Sequence, residues 1–267
     1  MTHRNLRLRS LRQDDGHAQR SGVRPGAYRP AVSTNPPKKI HIVTQAYLRA
    51  WTNDAGHLTA VDRWGNRVTR APAAVGYRQH WWSKTHPTLN KTCEDICRPL
   101  ENTIPRILRS LPASWPLDKR QRSLLGQFLA LHIIRTPAWR DWYHSVIDQT
   151  LPRVTNGLTP QATEEVIAVA HSDTERARQG FHHIALLATI LSSMHWTLLQ
   201  FDEPVLATSD HPVCPAPLLR PGETVRAAGM PRGGWIETME VWFPLSPYFA
   251  LIACWAVRPE PTIAIKG

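Results

Sequence analysis

Arg135 is the residue whose type packing alone explains least. It continues the apolar stripe Leu124, Leu125, Phe128, Leu131 and His132 on a segment whose spacing predicts a helix from Lys119 to about Arg135. A guanidinium on an inward face must be matched, because a buried charge without a partner is strongly destabilising. Two kinds of partner would match it. One is the phosphate or carboxylate of a substrate, which makes Arg135 an anion clamp. The other is a structural acid near the helix C-terminus, where the helix dipole also favours a cation.

Three further groups of residues could do chemistry. His41 and Gln45 are one helical turn apart, with Arg49 a turn further on. An imidazole beside an amide and a cation suits proton transfer and phosphate positioning; the alternative is a histidine that caps or packs. Glu94 and Glu101, seven apart, share a face of a continuous helix. They could hold a divalent metal or answer Arg135, or stay solvated with Glu94 reaching Arg98. Ser209-Asp210-His211 follows the short apolar run Val205–Ala207 and precedes Pro212. Adjacency makes no catalytic triad, since consecutive strand side chains point to opposite faces. Asp210 reads as a metal or arginine partner and Ser209 and His211 as substrate contacts, against the alternative of a Ser or Asx turn leading into proline. Trp81-Trp82, beside His80 and His86, either stack on bases or sugars or fill the core.

The standard catalytic signatures are absent. There is no Gly-rich phosphate loop, nucleophile elbow, HExxH helix or nucleotide-cofactor fingerprint. Cys93 and Cys97 are four apart, Cys214 and Cys254 stand alone, and no zinc-finger spacing follows. Reduced thiols in a cytoplasmic protein are the reading these positions give.

The elements that must position these residues are legible in outline. His41–Trp51 reads as a short helix and Leu58–Thr69, around Gly65-Asn66, as a β-hairpin. Cys93–Leu111 carries a helical stripe in which Pro99 and Pro105 predict a kink or a late start. Asp118 is a good N-cap for the central helix and Thr136-Pro137 stops it. Helices follow over about Ala138–Gln149 and, as one or two pieces, Pro160–Ser193, apolar nearly all round after Ile184 and therefore expected to be central. From His195 the pattern turns to short strands: Trp196–Gln200, Val205–Ala207, Glu240–Phe243 and Phe249–Trp255, with a long loop over Pro212–Gly234. The fold class is α+β, with a short N-terminal helix and β-hairpin, a helical middle and short antiparallel C-terminal strands.

The 267 residues carry a formal charge of +11. Residues 1–40 hold seven Arg and two Lys against Asp14 and Asp15, so the basicity is mainly a property of this end. Residues 1–39 read as a disordered basic tail, or as upstream sequence before an initiator at Val32, and residues 40–267 as a single α+β domain. Apolar residues at 42% and charged residues at 20% exclude a coiled coil and a collagen-like chain. Phe181–Phe201 has no Asp, Glu, Lys or Arg, but histidines and Gln200 interrupt it; Val241–Val257 contains two prolines. Both read as core, and no membrane contact is expected.

Several segments resemble a mainly bacterial family, domain of unknown function 4238. His41-Ile-Val-Thr-Gln45-Ala-Tyr47-Leu48 to Trp51 is similar to its opening H-x-V-P-Q-x-[YF]-L-x-x-F, with Thr44 for the proline and Trp51 for the phenylalanine. Val61-Asp62-Arg63 to Val68 resembles its next segment, and Glu94 to Glu101 its acidic helix. Phe128 to Arg135-Thr136-Pro137 resembles its R-T-P helix end, Thr208 to Val213 its S-D-x-P turn (with His211 as a departure), and Phe243-Pro244-Leu245-Ser246-Pro247 its late F-P-L-S strand. The resemblance covers roughly residues 38–255 and implies an α+β domain, a chain that stops before the family's final helical stretch, and no particular activity.

The chemistry these residues suit best is metal-assisted phosphodiester hydrolysis by a toxin-like nuclease acting on nucleic acid. His41 moves protons, Gln45 orients water or substrate, Arg135 takes developing charge, and Glu101 and Asp210 bind Mg²⁺ or Mn²⁺. Arg49, Ser209 and His211 contact substrate. The competing reading is a non-enzymatic binding protein in which the same groups form a structural network, Arg135 pairing with Glu101 or Asp210.

Overall fold

The first described residues form a strand and not a helix. In the computed structural model, which describes residues 38–111, 113–217 and 239–255, β1 (Lys39–His41) pairs antiparallel with β4 (Tyr77–Gln79). The expected basic tail lies outside the described residues save for its last two positions, as does most of the Pro212–Gly234 loop. Helix α1 begins only at Gln45 (Gln45–Leu48) and runs into a 3-10 turn over Arg49–Trp51. The helix expected from His41 is thus corrected. Ile42 and Val43 both donate their N–H groups to the Gly76 carbonyl, at 2.8 and 3.1 Å, which holds the segment extended. Gly76 has φ +63, and an added Cβ would meet Val43 and Leu48 at 3.2 Å.

Strands β2 (Leu58–Val61) and β3 (Arg67–Arg70) form the expected hairpin. Helix α2 (Pro87–Ser110) starts before Cys93 and continues through Pro99 and Pro105, so the expected late start is corrected as well. Helix α3 (Lys119–Ile134) opens on a capping box in which Asp118 Oδ1 accepts the Gln121 N–H at 2.7 Å and Gln121 returns the bond at 3.1 Å. Thr136 caps α4 (Pro137–Val154) through the Trp139 N–H. Two more helices follow, α5 (Pro160–Ala170) and α6 (Asp173–Ser193).

Helices α3 and α6 pack tightly where Gly126 faces Ser192: a Cβ there would lie 2.4 Å from its hydroxyl. One face of α6 is buried through Ala188 and Leu191, but Leu186 is exposed, so the helix is not central on all sides. Arg122 seals its end by donating to the Ser192 and Met194 carbonyls and lying over the Trp196 ring.

Strands β5 (His195–Gln200), β6 (Cys214–Pro217), β7 (Met239–Ser246) and β8 (Phe249–Cys254) make an antiparallel sheet in the order β5-β8-β7-β6. The strand expected over Val205–Ala207 is irregular chain, joined to the β7–β8 turn by Leu206 N–H to the Pro247 carbonyl. The sheet packs its Val241, Phe243 and Leu251 face into a core shared with Tyr47, Phe128 and Leu129. The architecture is α+β, strands at both ends around a helical middle. No helix of the described residues is long and apolar enough to cross a membrane.

Candidate functional site

Arg135 ends α3 and is 1% exposed. Its Nη2 donates to Glu94 Oε1 at 2.9 Å, and its Nη1 donates to Glu101 and, at 3.1 Å, to the His41 carbonyl. Both glutamates stand on one face of α2, as their seven-residue spacing predicts. Glu94 also accepts the Trp82 indole N–H at 3.0 Å. Burial opposes the Arg135 charge, but Cys97, Glu101 and Glu94 outweigh it and its pKa lies above the ordinary arginine value. Burial pushes the Glu94 carboxyl up, against the pull of Arg135 and Trp82. The side chains of Glu94 and Glu101 keep 17% and 24% of their exposure, so the knot is closed on the arginine side and reaches solvent through its acids.

His41 and Gln45 join this cluster although His41 is not helical: the Gln45 amide lies 3.4 Å from His41 Nδ1. The His41 ring packs edge-on against Tyr77, its strand partner, and its buried Nε2 makes no hydrogen bond. Burial lowers the His41 pKa, the Ala73 backbone and Glu101 working against that shift and Arg135 with it. Glu94, Glu101 and the His41 backbone, all singled out from the sequence, therefore meet on the buried Arg135, and Gln45 reaches the cluster through the His41 ring.

The others lie apart from it. Asp210 is exposed and faces Arg78 at 3.9 Å. Ser209 Oγ accepts the His211 N–H at 3.0 Å, the turn geometry that was the alternative to a substrate contact. Arg49 stands exposed on the 3-10 turn after α1. Among the described residues no three His, Cys, Asp or Glu side chains are grouped so as to hold a metal ion.

Tyr47, His132, Arg140 and Arg176 matter structurally and were not singled out for it. Tyr47 is fully buried, and its hydroxyl donates to the Pro244 carbonyl and meets Thr208 Oγ1, both at 2.6 Å. Its ring stacks on Phe243 at 5.0 Å. His132, on the α3 stripe, donates from Nδ1 to the Phe128 carbonyl at 3.0 Å and accepts the Thr44 N–H on Nε2 at 3.4 Å. Burial pushes its pKa down to about 4, so the ring is neutral. Trp81 and Trp82 are core: Arg140 lies 3.8 Å over the Trp81 ring and donates to its carbonyl, while Arg176 donates to the Trp82 carbonyl. A hydroxyl or guanidinium within an apolar stripe was the available signal for these residues; their partners were not visible.

The family-like segments thus converge on two ties. One joins the opening segment, the acidic helix and the R-T-P helix end through Arg135; the other joins the opening segment, the S-D turn and the late strand through Tyr47. No curated protein and no solved structure matches the chain. The sequence profile of the family described as protein of unknown function (DUF4238) matches residues 39–262, nearly all of the chain beyond its basic end, and the protein belongs to that family.

Proposed function

We propose that the protein binds single-stranded nucleic acid without hydrolysing it, and that the Arg135 cluster is the frame of the fold. The observation that carries this is the burial of Arg135: its charge is spent on Glu94 and Glu101, so a substrate anion would have to displace a desolvated ion pair. Cationic surface is available elsewhere. The β2–β3 hairpin presents Arg63, Arg67 and Arg70, none paired with a carboxylate among the described residues, and Asp62, its only acid, is tied into the turn by Trp64 and Asn66. Trp64 is 72% exposed at the tip, with Arg63 4.1 Å over its ring. An exposed indole beside arginines is a base-stacking platform on a phosphate track. A cytoplasmic location goes with this reading, supported by Cys93 and Cys97, which remain free thiols one helical turn apart.

Metal-assisted phosphodiester hydrolysis is the second reading, favoured by the unpartnered Nε2 of His41 beside Gln45 and Glu101. In it His41 moves the proton and Glu101 offers a carboxylate to Mg²⁺ or Mn²⁺, while Asp210, which lies apart, takes no part.

One experiment separates the two. The full chain is incubated with single-stranded RNA and DNA, with Mg²⁺ or Mn²⁺ and with chelator, and both retention and cleavage are followed. Retention without cleavage is expected, weakened about tenfold or more by Arg63→Gln/Arg67→Gln/Arg70→Gln and by Trp64→Ala. The salt slope of log K should flatten by about 2 in the triple variant. Cleavage that needs metal and disappears in a folded His41→Ala protein would sink the binding reading.

A further inference from the structure

Where α1, the end of α2 and the β7–β8 turn meet, the surface opens into a cavity of about 230 Å³. Its walls are largely apolar, with Leu108 from α2 and Leu245 and Phe249 from the sheet. Its polar lining consists of Arg49, Arg109 and Ser246, and no carboxylate of the described residues borders it. Most arginines of the fold's interior are answered: Arg135 by two glutamates, Arg176 by Asp173 and the Trp82 carbonyl, Arg122 by two helix-end carbonyls. Arg49 and Arg109, both exposed, make no side-chain hydrogen bond or ion pair with any described residue. Ser246 Oγ already accepts the Tyr248 N–H at 3.2 Å, which leaves its own hydroxyl hydrogen free to donate.

We propose that this cavity is a binding site for a small organic carboxylate with an apolar body. Two guanidinium groups offer the planar paired donors that match a carboxylate. The leucines and Phe249 take the hydrocarbon part, which gains by leaving water. The volume limits the ligand: it is below the roughly 300 Å³ at which drug-sized pockets begin, so a medium-length chain or a single ring fits and a nucleotide does not. The site is independent of the hairpin and of the Arg135 cluster, so it stands or falls apart from the function proposed above.

The test is calorimetric titration of the full chain with octanoate, with octanol as the body lacking the charge and inorganic phosphate as a charge lacking the body. Saturable one-to-one binding of octanoate is expected, about tenfold or more tighter than either control. Arg49→Ala/Arg109→Ala should weaken octanoate by at least the same factor and leave octanol unchanged. Leu108→Trp, which fills the apolar wall, should abolish both organic ligands while the melting temperature shows the variant folded. Equal affinity for octanoate and octanol would overturn the proposal. So would octanoate binding that survives the double arginine variant, or phosphate binding as tight as octanoate, which would mark a bare anion site.

Discussion

Arg135 and Arg49 are the same side chain in opposite circumstances. Arg135 is 1% exposed and joins Glu94, Glu101 and the His41 carbonyl, so three stretches of chain meet on one guanidinium. Arg49 stands at an apolar cavity, near Arg109 and without a carboxylate among the described residues. An arginine in a suggestive sequence position declares its role through its compensation. A cation whose charge is already answered inside the fold organises that fold; one left unanswered at a cavity is available to something from outside.

The comparison can be broken most directly at Arg135. Arg135→Ala leaves two partly buried carboxylates without their cation, and a loss of about 3–5 kcal/mol is expected. For a domain of this size that is a fall in melting temperature of about 10 °C, read by thermal or denaturant unfolding. Arg135→Lys should lose less but not nothing, because a single ammonium cannot serve both glutamates and the His41 carbonyl with the same geometry. An unchanged melting temperature in both variants would remove the distinction drawn here.

The next effect is a dependence on pH. His132 has its pKa lowered to about 4 in the folded protein from an ordinary value of 6.5, so the unfolded chain binds more protons between those limits. The stabilisation from its neutral ring is complete above pH 6.5 and is lost as the pH falls towards 4, by about 3 kcal/mol. Between pH 6.5 and 4 the native chain should lose about 3 kcal/mol more stability than His132→Gln, read from unfolding curves taken across this window. Parallel curves would show that the ring does not titrate as its burial requires.

Tyr47→Phe sharpens the comparison on the second tie. It removes the hydroxyl shared by Thr208 and the Pro244 carbonyl while keeping the stack on Phe243, and about 1–2 kcal/mol of stability should go. Arg49→Ala and Arg109→Ala complete the series. Each should leave stability within about 0.5 kcal/mol of the native chain, the ordinary result for an exposed position. A large loss at either would mean that these arginines also belong to the frame.

Much of the helical middle was legible because its signals are local. Asp118, Gln121 and the Thr136-Pro137 stop delimit α3, and the stripe on that helix carried the argument to Arg135 and to acids in need of a cation. The edges were harder. β1 has three residues, and its partner Tyr77–Gln79 comes more than thirty positions later, so nothing near His41 could announce a strand. Gln45 still reaches His41, although the helical turn from which their proximity was expected does not exist. Pro99 argued against a continuous α2. Helix α2 stays intact past it, with Glu94 and Glu101 on either side bound to the same guanidinium. Tyr47 was visible as an apolar helix position; the partners of its hydroxyl lie 161 and 197 residues away and leave no trace in the local pattern.

That last separation has a consequence for synthesis. A ribosome adding about 5–20 residues per second releases Tyr47 roughly 10–40 seconds before Pro244, its furthest hydrogen-bond partner, has been made. During that interval the opening segment cannot complete its ties, while the helical middle, built on neighbouring contacts, can already form. The earliest-made part of the domain is among the last to settle, and the nascent chain waits with an aromatic face uncovered until its final strands arrive.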